Sequence, residues 1–260
     1  YILSSGVSGV IGYHDLLPLF YKGIEVQRGC IASEARQIGR SLLQTLNEQS
    51  GIFLERGLDE ANQPVYGFLH QTFGEYLAAL HMAQEIFEDK FELQKYIHRG
   101  GWHEPLLLLV GHLSIVSQAH STKLLRSILA FEAPFENILR RNLLFAIDCL
   151  VDDIQIQAQL RNEILAELAK LLEHEAPQVR SAALDRYKRL RITRHNETAV
   201  TELIRLYPCH EIDLLKAFSP ETQFNIATAL VYLGAVEIAR SLVWYMDEPK
   251  SQIKNQATLR

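Results

Sequence analysis

Residues 66–80, YGFLHQTFGEYLAAL, join a strand-like run to a helix and place His70 at the junction. Thr72 and Glu75 have the spacing of a capping box, in which a hydroxyl and a carboxylate satisfy two backbone donors at a helix start. We therefore expect a helix to begin at about Phe73. Its free N–H groups and partial positive charge would lie close to His70, and such helix ends bind anions such as phosphate. A histidine in this position is nevertheless more often structural than a ligand contact.

The residues before this junction predict a helix followed by a hairpin. Residues 33–49 carry apolar side chains at helical spacing, and Gly51 fits the end of that helix. Residues 52–54 and 65–69 then read as two short strands, joined by a polar turn at 59–64. Helix, hairpin, helix is the order of a winged-helix fold.

The remainder of the chain carries little strand signal. At the start, residues 1–21 indicate only a short helix near 15–20, interrupted by Pro18. Beyond residue 80, leucine-rich helical periods recur between short polar breaks. We therefore predict a mainly α chain with a single hairpin, in which residues 81–260 form an α-solenoid of helix pairs.

The clearest helix pair lies in residues 162–190, and a second is predicted at 224–245. The first pair has two apolar stripes separated by a break at 174–177. The predicted inward residues of these stripes are Ile164, Leu165, Leu168, Leu171 and Leu172, then Val179, Ala182, Ala183, Tyr187 and Leu190.

Two blocks resemble the winged-helix domain of NACHT-type signal-transduction ATPases, a family of STAND NTPases. Residues 68–79 resemble the family signature FLHxTFxEYLAA, and residues 50–57, SGIFLERG, resemble its first wing strand, SGLLxERG. In that family the winged-helix histidine contacts the β-phosphate of bound ADP and holds the switch closed. The resemblance therefore implies a nucleotide-contacting role for His70. Gly74 stands where the family usually has Gln, which raises a question about local packing.

The later segments resemble helical repeats. Residues 177–183 are similar to the second helix of a HEAT repeat, although His174 stands where such repeats usually carry Asp. Residues 227–234 loosely resemble a short HEAT-like pattern, and segments near 102–109 and 139–150 look like the helices that follow the winged helix in bacterial NACHT proteins. The domain organisation implied is a winged-helix region of a NACHT module in residues 1–80. A helical linker and HEAT-like α-solenoid would follow in residues 81–260.

Composition narrows the function classes. The formal net charge of −5 argues against a nucleic-acid-binding protein, because such binding requires a clustered basic surface. Residues 33–49, which would be the DNA-reading helix of a winged helix, hold only Arg36 and Arg40 as basic residues. The densest basic cluster is interpreted as a solvated helix end, with a weak contact to an acidic partner left open; it comprises Arg186, Lys188, Arg189, Arg191 and Arg194.

The cysteines and the hydropathy pattern point to a cytoplasmic protein. Cys30, Cys149 and Cys209 are isolated and odd in number, which indicates a reducing compartment, and the latter two fit small apolar roles. The longest apolar run, residues 105–110, is too short to cross a bilayer. Because the chain opens with Tyr1 and has no leader, we also expect it to be an excised piece of a longer protein.

Catalytic motifs are missing from the sequence. It has no Gly-Lys pair and therefore no phosphate-binding loop of the GxxxxGK[ST] type, so we expect this chain not to be an enzyme by itself. No catalytic residues are assigned, and the spacing of the histidines from 98 to 120 fits no familiar zinc arrangement. We expect no metal or cofactor in this chain. ADP or ATP with Mg²⁺ is implied only for the parent protein.

Two function classes follow from these observations. The first is a regulatory and sensor fragment of a bacterial NACHT ATPase, in which His70 stabilises the ADP-bound off state against an upstream nucleotide-binding domain. Its helical repeats would bind an unidentified ligand or protein, and the parent protein would oligomerise in signalling or defence. The alternative is a free-standing helical-repeat adaptor that binds another protein. A phosphate-binding loop upstream would favour the first class.

Overall fold

A computed structural model describes residues 9–209 and 217–247 of the chain. The fold is mainly helical with one small antiparallel sheet, in agreement with the predicted class. The chain divides into two compact units after Leu109, and each is considered by itself. The division into residues 1–80 and 81–260 stays a prediction, and its bounds include segments that lie outside the described residues.

The first unit contains three strands and three long helices. Helix α2 ends in a π-helical turn, Leu46–Ser50, followed by Gly51 in the left-handed conformation at φ 64°, as predicted. The elements are β1 (Val10–Gly12), α1 (Tyr13–Arg28), α2 (Ala32–Thr45), β2 (Phe53–Leu58), β3 (Pro64–Phe68) and α3 (Gln71–Phe87).

The sheet has the antiparallel order β1-β3-β2. Strands β2 and β3 form the predicted hairpin, and β1 adds a third strand that the sequence did not predict. Val10 lies opposite Gly67 and Gly12 opposite Val65. A strand of three residues is too short to display the alternation of apolar and polar residues by which strands are predicted.

Helix α1 is longer than the sequence indicated. It runs from Tyr13 to Arg28 through Pro18 and ends at Gly29, which adopts φ 60°. Proline lacks one backbone donor and disfavours a helix, but here Leu16, Leu17 and Ile24 are buried on one side. The packing of this apolar face compensates for the missing hydrogen bond.

The core of the first unit lies between the sheet and the first two helices. The rings of Phe53 and Tyr66 stack at 6.0 Å between centroids on neighbouring strands. The buried cluster consists of Ile11, Leu16, Leu17, Leu43, Phe53 and Tyr66. Leu43 brings α2 into this cluster, so the helix predicted from residues 33–49 packs against the sheet.

The second unit begins within a helix, His103–Val116 (α4), and continues as helices. Helix α8 (Ala158–Lys170) packs against α7 (Arg141–Val151) and α10 (Asn196–Leu206), whereas α9 (Pro177–Leu190) packs against α7 and α11 (Pro220–Leu233). Contacts thus join both consecutive and alternate helices along the chain. The remaining elements are α5 (Gln118–Leu129), α6 (Glu136–Leu139), α7 (Arg141–Val151), α8 (Ala158–Lys170), α9 (Pro177–Leu190), α10 (Asn196–Leu206), α11 (Pro220–Leu233) and α12 (Val236–Asp247).

The apolar stripes predicted for residues 162–190 face the interior. Leu168 on α8 is fully buried, and Ala183 on α9 is fully buried as well. Of the ten residues predicted to point inward, only Ala182 is half-buried. The second predicted pair is also present, because Gly234 adopts φ 87° and separates α11 from α12.

Arg180 holds the turn between α8 and α9 in place of the missing Asp. Its Nη1 donates to the backbone oxygens of His174 and Glu175 at 2.7 and 2.9 Å. Its Nη2 donates to Glu221 at the start of α11. Backbone carbonyls therefore accept the bonds that an Asp carboxylate accepts in the repeats that this segment resembles.

The cluster of basic residues on and after α9 is not simply a solvated helix end. Arg186 and Arg189 both bind the buried carboxylate of Asp148 on α7, at 2.6 and 3.0 Å. Arg194 binds Asp153 at 2.9 Å. Three of the five side chains are therefore paired with carboxylates within the protein, and a weak contact of this cluster with an acidic partner stays a prediction.

Helices long and apolar enough to cross a bilayer are not found among the described residues.

Candidate functional site at the start of helix α3

His70 is the residue that immediately precedes helix α3. It is exposed and occupies the N-cap position with φ −120° and ψ 135°, while the helix begins at Gln71. The predicted start at Phe73 and the predicted capping box are wrong. No side chain caps the helix, and Glu75 accepts a hydrogen bond from the side-chain amide of Gln71 at 2.8 Å instead of returning to the backbone.

The capping box fails because only two residues, Leu69 and His70, join strand β3 to helix α3. Strand β3 ends at Phe68, and the amide of Leu69 still donates to the Ile52 oxygen of β2 at 2.7 Å. His70 is then extended, and the N–H of Phe73 already donates to the His70 oxygen at 3.1 Å. Thr72 therefore lies inside the first turn, two residues after the N-cap position, and cannot act as the cap.

The first backbone donors of α3 remain available beside His70. Within the described residues, neither the N–H of Gln71 nor that of Thr72 has a hydrogen-bond acceptor. A helix of 17 residues concentrates a partial positive charge at these groups, and an anion can bind them directly. The sequence-predicted residue and the anion-binding backbone groups thus lie together at one exposed end of the helix.

Arg56 adds a positive charge at the same junction. Its Nη2 donates to the backbone oxygens of Phe68 and Leu69, the two residues before His70, with 2.9 Å to Leu69. Within the described residues, Nε and Nη1 of Arg56 have no hydrogen-bond partner. In the sequence, Arg56 lies in the segment that resembles the first wing strand. No role can be predicted for it there, because its partners lie twelve and thirteen residues later in the chain.

Phe68 and Gly74 explain the departure from the family signature. The Phe68 ring lies against the first turn of α3, where a Cβ on Gly74 would come within 2.9 Å of the ring. Phe68 also contacts Phe53 edge to face at 5.1 Å. Glycine at position 74 therefore lets the end of β3 pack tightly under the start of α3.

An apolar surface borders His70. Phe73, Tyr76 and Leu77 follow one side of α3 at helical spacing, and all three are exposed. Leu69, immediately before His70, is exposed as well. Contiguous exposed apolar residues of this kind are typical of surfaces that bind another protein or domain.

The other candidate positions do not form a second site. Within residues 9–209 and 217–247, no three His, Cys, Asp or Glu side chains are grouped so that they could hold a metal ion. Cys149 and Cys209 are buried, as predicted. Burial raises the pKa of the Cys149 thiol well above its usual value and that of Cys209 to about 11, so neither thiol is a ready nucleophile.

The site presents groups of the kind that an anion requires. His70, two free backbone donors and Arg56 supply hydrogen-bond donors and positive charge, as a phosphate group requires. Comparison of this chain with protein families, with curated proteins and with solved structures finds no match to any of them.

Proposed function

We propose that this chain is the regulatory part of a NACHT-type signal-transduction ATPase. In this proposal His70 binds a phosphate of ADP held by an upstream nucleotide-binding domain and so stabilises the off state. The helical repeats bind the ligand or protein that is sensed, and release of the winged helix permits the parent protein to oligomerise. The nucleotide and Mg²⁺ belong to the parent protein, and this chain contributes the contact that stabilises the off state.

The observation that carries the proposal is the exposed position of His70 at the uncapped start of α3. A structural histidine is usually packed or hydrogen-bonded, whereas the side chain of His70 is exposed and its ring lies 6.2 Å from that of Phe73. The free N–H groups of Gln71 and Thr72 point to an anionic ligand at the same place. The adjacent apolar side of α3 offers a surface on which an upstream domain could pack.

The order and packing of the elements in each unit support the assignment of a winged helix and of helical repeats. Two helices, a hairpin and a third helix follow one another in the first unit, and this is the order expected of a winged helix. In the second unit, packing between alternate helices is typical of stacked helical repeats, in which each pair contacts its neighbours. These features favour a winged helix followed by a HEAT-like α-solenoid.

The test is the substitution His70→Ala in the full-length protein. A charge-assisted hydrogen bond is worth about 1.5–3 kcal/mol, so its loss from the closed state alone changes the closed-to-open ratio by about one to two orders of magnitude. We expect weaker ADP retention and readier oligomerisation. ADP release after rapid dilution and the assembly state by light scattering measure the two effects.

His81→Ala is a matched control. His81 lies on the exposed surface of the same helix, where its Nε2 is 3.6 Å from the Glu85 carboxylate, so its loss should leave ADP retention unchanged. If His70→Ala and His81→Ala both retain ADP and assemble as the wild type does, the switch proposal is wrong. The adaptor hypothesis would then be the better account of residues 81–260.

A further inference from the structure

The inference concerns Arg56, whose position in strand β2 is irregular. Glu55 pairs with Tyr66 and Gly57 pairs with Val65, so Arg56 is the extra residue of a β-bulge. A bulge turns one side chain away from the regular alternation of a strand, and such features are enriched next to functional sites. The exposed edge of this sheet therefore contains a feature that redirects Arg56.

Two glycines accommodate the redirected side chain. Gly57 adopts φ 133°, a backbone conformation that other residues rarely adopt, and this conformation makes the bulge possible. At Gly67 a Cβ would lie 3.4 Å from Arg56 Cγ and 2.9 Å from the Gly9 oxygen, so the side chain of Arg56 passes close over the strand beside it. The bulge, the conformation of Gly57 and the close approach over Gly67 all direct the Arg56 guanidinium towards the end of β3.

The guanidinium ends on the two carbonyl groups that precede His70. The two N–H groups of Nη2 donate to the oxygens of Phe68 and Leu69. These are the last residue of β3 and the connecting residue, so the bonds fix the direction in which the chain enters α3. The His70 side chain is exposed and its ring lies 6.2 Å from that of Phe73, so the orientation of its imidazole depends on this backbone.

We propose that Arg56 is the positioning residue for His70. It clamps the junction of β3 and α3 so that the imidazole and the free N–H groups of the first turn converge on one anion. The ligand-binding arm of this inference rests on the proposed function, whereas the clamp itself does not. A functional constellation requires such a supporting contact, since a side chain on a loose backbone loses its geometry.

The clamp is tested by amide hydrogen exchange in the full chain at Leu69 and Phe73, the junction amides that donate backbone hydrogen bonds. Arg56→Gln removes both arginine bonds, and we expect exchange at these two amides to become faster by at least about tenfold, since the loss of one charge-assisted bond alone accounts for about that factor in a local opening. Arg56→Lys, which can still reach one carbonyl, should restore part of the protection. Arg40→Gln, an exposed arginine on α2, is the charge-matched control and should change nothing. Unchanged exchange at Leu69 and Phe73 in Arg56→Gln overturns the inference.

The ligand arm uses a double-mutant cycle on ADP retention in the full-length protein. If Arg56 acts through His70, Arg56→Gln weakens retention more in the wild type than in His70→Ala, where only its effect on the free N–H groups and on the local charge is left. Additive losses would mean that Arg56 acts independently of His70, and they overturn the positioning role. If His70→Ala itself leaves ADP retention intact, the proposed function fails, and the exchange measurement still decides whether Arg56 is a clamp.

Discussion

The buried carboxylate of Asp148 gives the sharpest stability prediction. Its side chain is 7% exposed, and its two oxygens accept separate bonds from α9, at 2.6 Å from Arg186 and 3.0 Å from Arg189. Asp148→Asn keeps the shape but removes the charge and leaves Arg186, which is 15% exposed, without a counter-ion. One carboxylate of α7 thus accepts bonds from two arginines of α9.

The expected loss follows from these exposures. Removing one member of a buried pair costs about 3–5 kcal/mol. The loss is reduced here because Arg186 keeps bonds to the Leu144 and Ala182 oxygens at 3.2 and 3.0 Å, and because Arg189 is 44% exposed. We therefore expect Asp148→Asn to lower the free energy of unfolding by about 2–4 kcal/mol. Arg189→Gln should cost no more than about 1 kcal/mol.

Urea unfolding of the 260-residue chain, followed by circular dichroism, measures both losses. Asp185→Asn, an exposed position on α9, is the control and should stay within about 0.5 kcal/mol of the wild type. A loss below about 1 kcal/mol for Asp148→Asn would refute the reasoning. So would an Arg189→Gln variant that is as unstable as Asp148→Asn, because the exposed partner would then carry the pair.

Three further predictions concern packing, pH and capping. Leu168→Ala should lower the free energy of unfolding by about 2–5 kcal/mol because the residue is fully buried, and a variant as stable as the parent in urea would contradict the assignment of α8. Burial lowers the pKa of His195, whose Nε2 lies 3.1 Å from the Ile154 oxygen. Its neutral form therefore contributes stability that is complete above the ordinary value of 6.5 and is lost as the pH falls towards the folded-state pKa, so unfolding in urea at pH 7 and pH 5 should show a smaller difference for His195→Gln. His70→Asp should raise the unfolding free energy by about 0.5–1 kcal/mol by capping α3, which thermal unfolding detects, and an unchanged midpoint would contradict the N-cap position.

The helices of the second unit were predictable because their signal is local and periodic. Leu165, Leu168 and Val179 recur at helical spacing, and all three are buried. The turn after α8 was also visible, since proline favours the first turn of a helix and Pro177 lies there. The ion pairs from α9 to Asp148 could not be predicted, because the partners lie about forty residues apart in the chain.

The first unit shows what local patterns miss. Strand β1 has three residues, and its pairing with β3 spans more than fifty residues of chain, so no short window contains the signal. The candidate site was found through His70, which sits in a recognisable stretch. Arg56 was missed because its role arises from a bulge and from contacts with distant carbonyls, and neither is visible in the sequence around it.

The failed capping box is itself an argument about function. Ser, Thr, Asp or Asn at the N-cap stabilises a helix by about 1 kcal/mol relative to residues that cannot cap, yet position 70 holds a histidine that does not cap. Thr72, which could have capped, is displaced into the first turn because β3 runs directly into α3. The donors of Gln71 and Thr72 are consequently without an acceptor among the described residues, at a junction that contains a bulge, Gly57 and the bonds of Arg56. Departures from local rules concentrate at functional sites, so this uncapped helix start favours the proposal that an anion binds there.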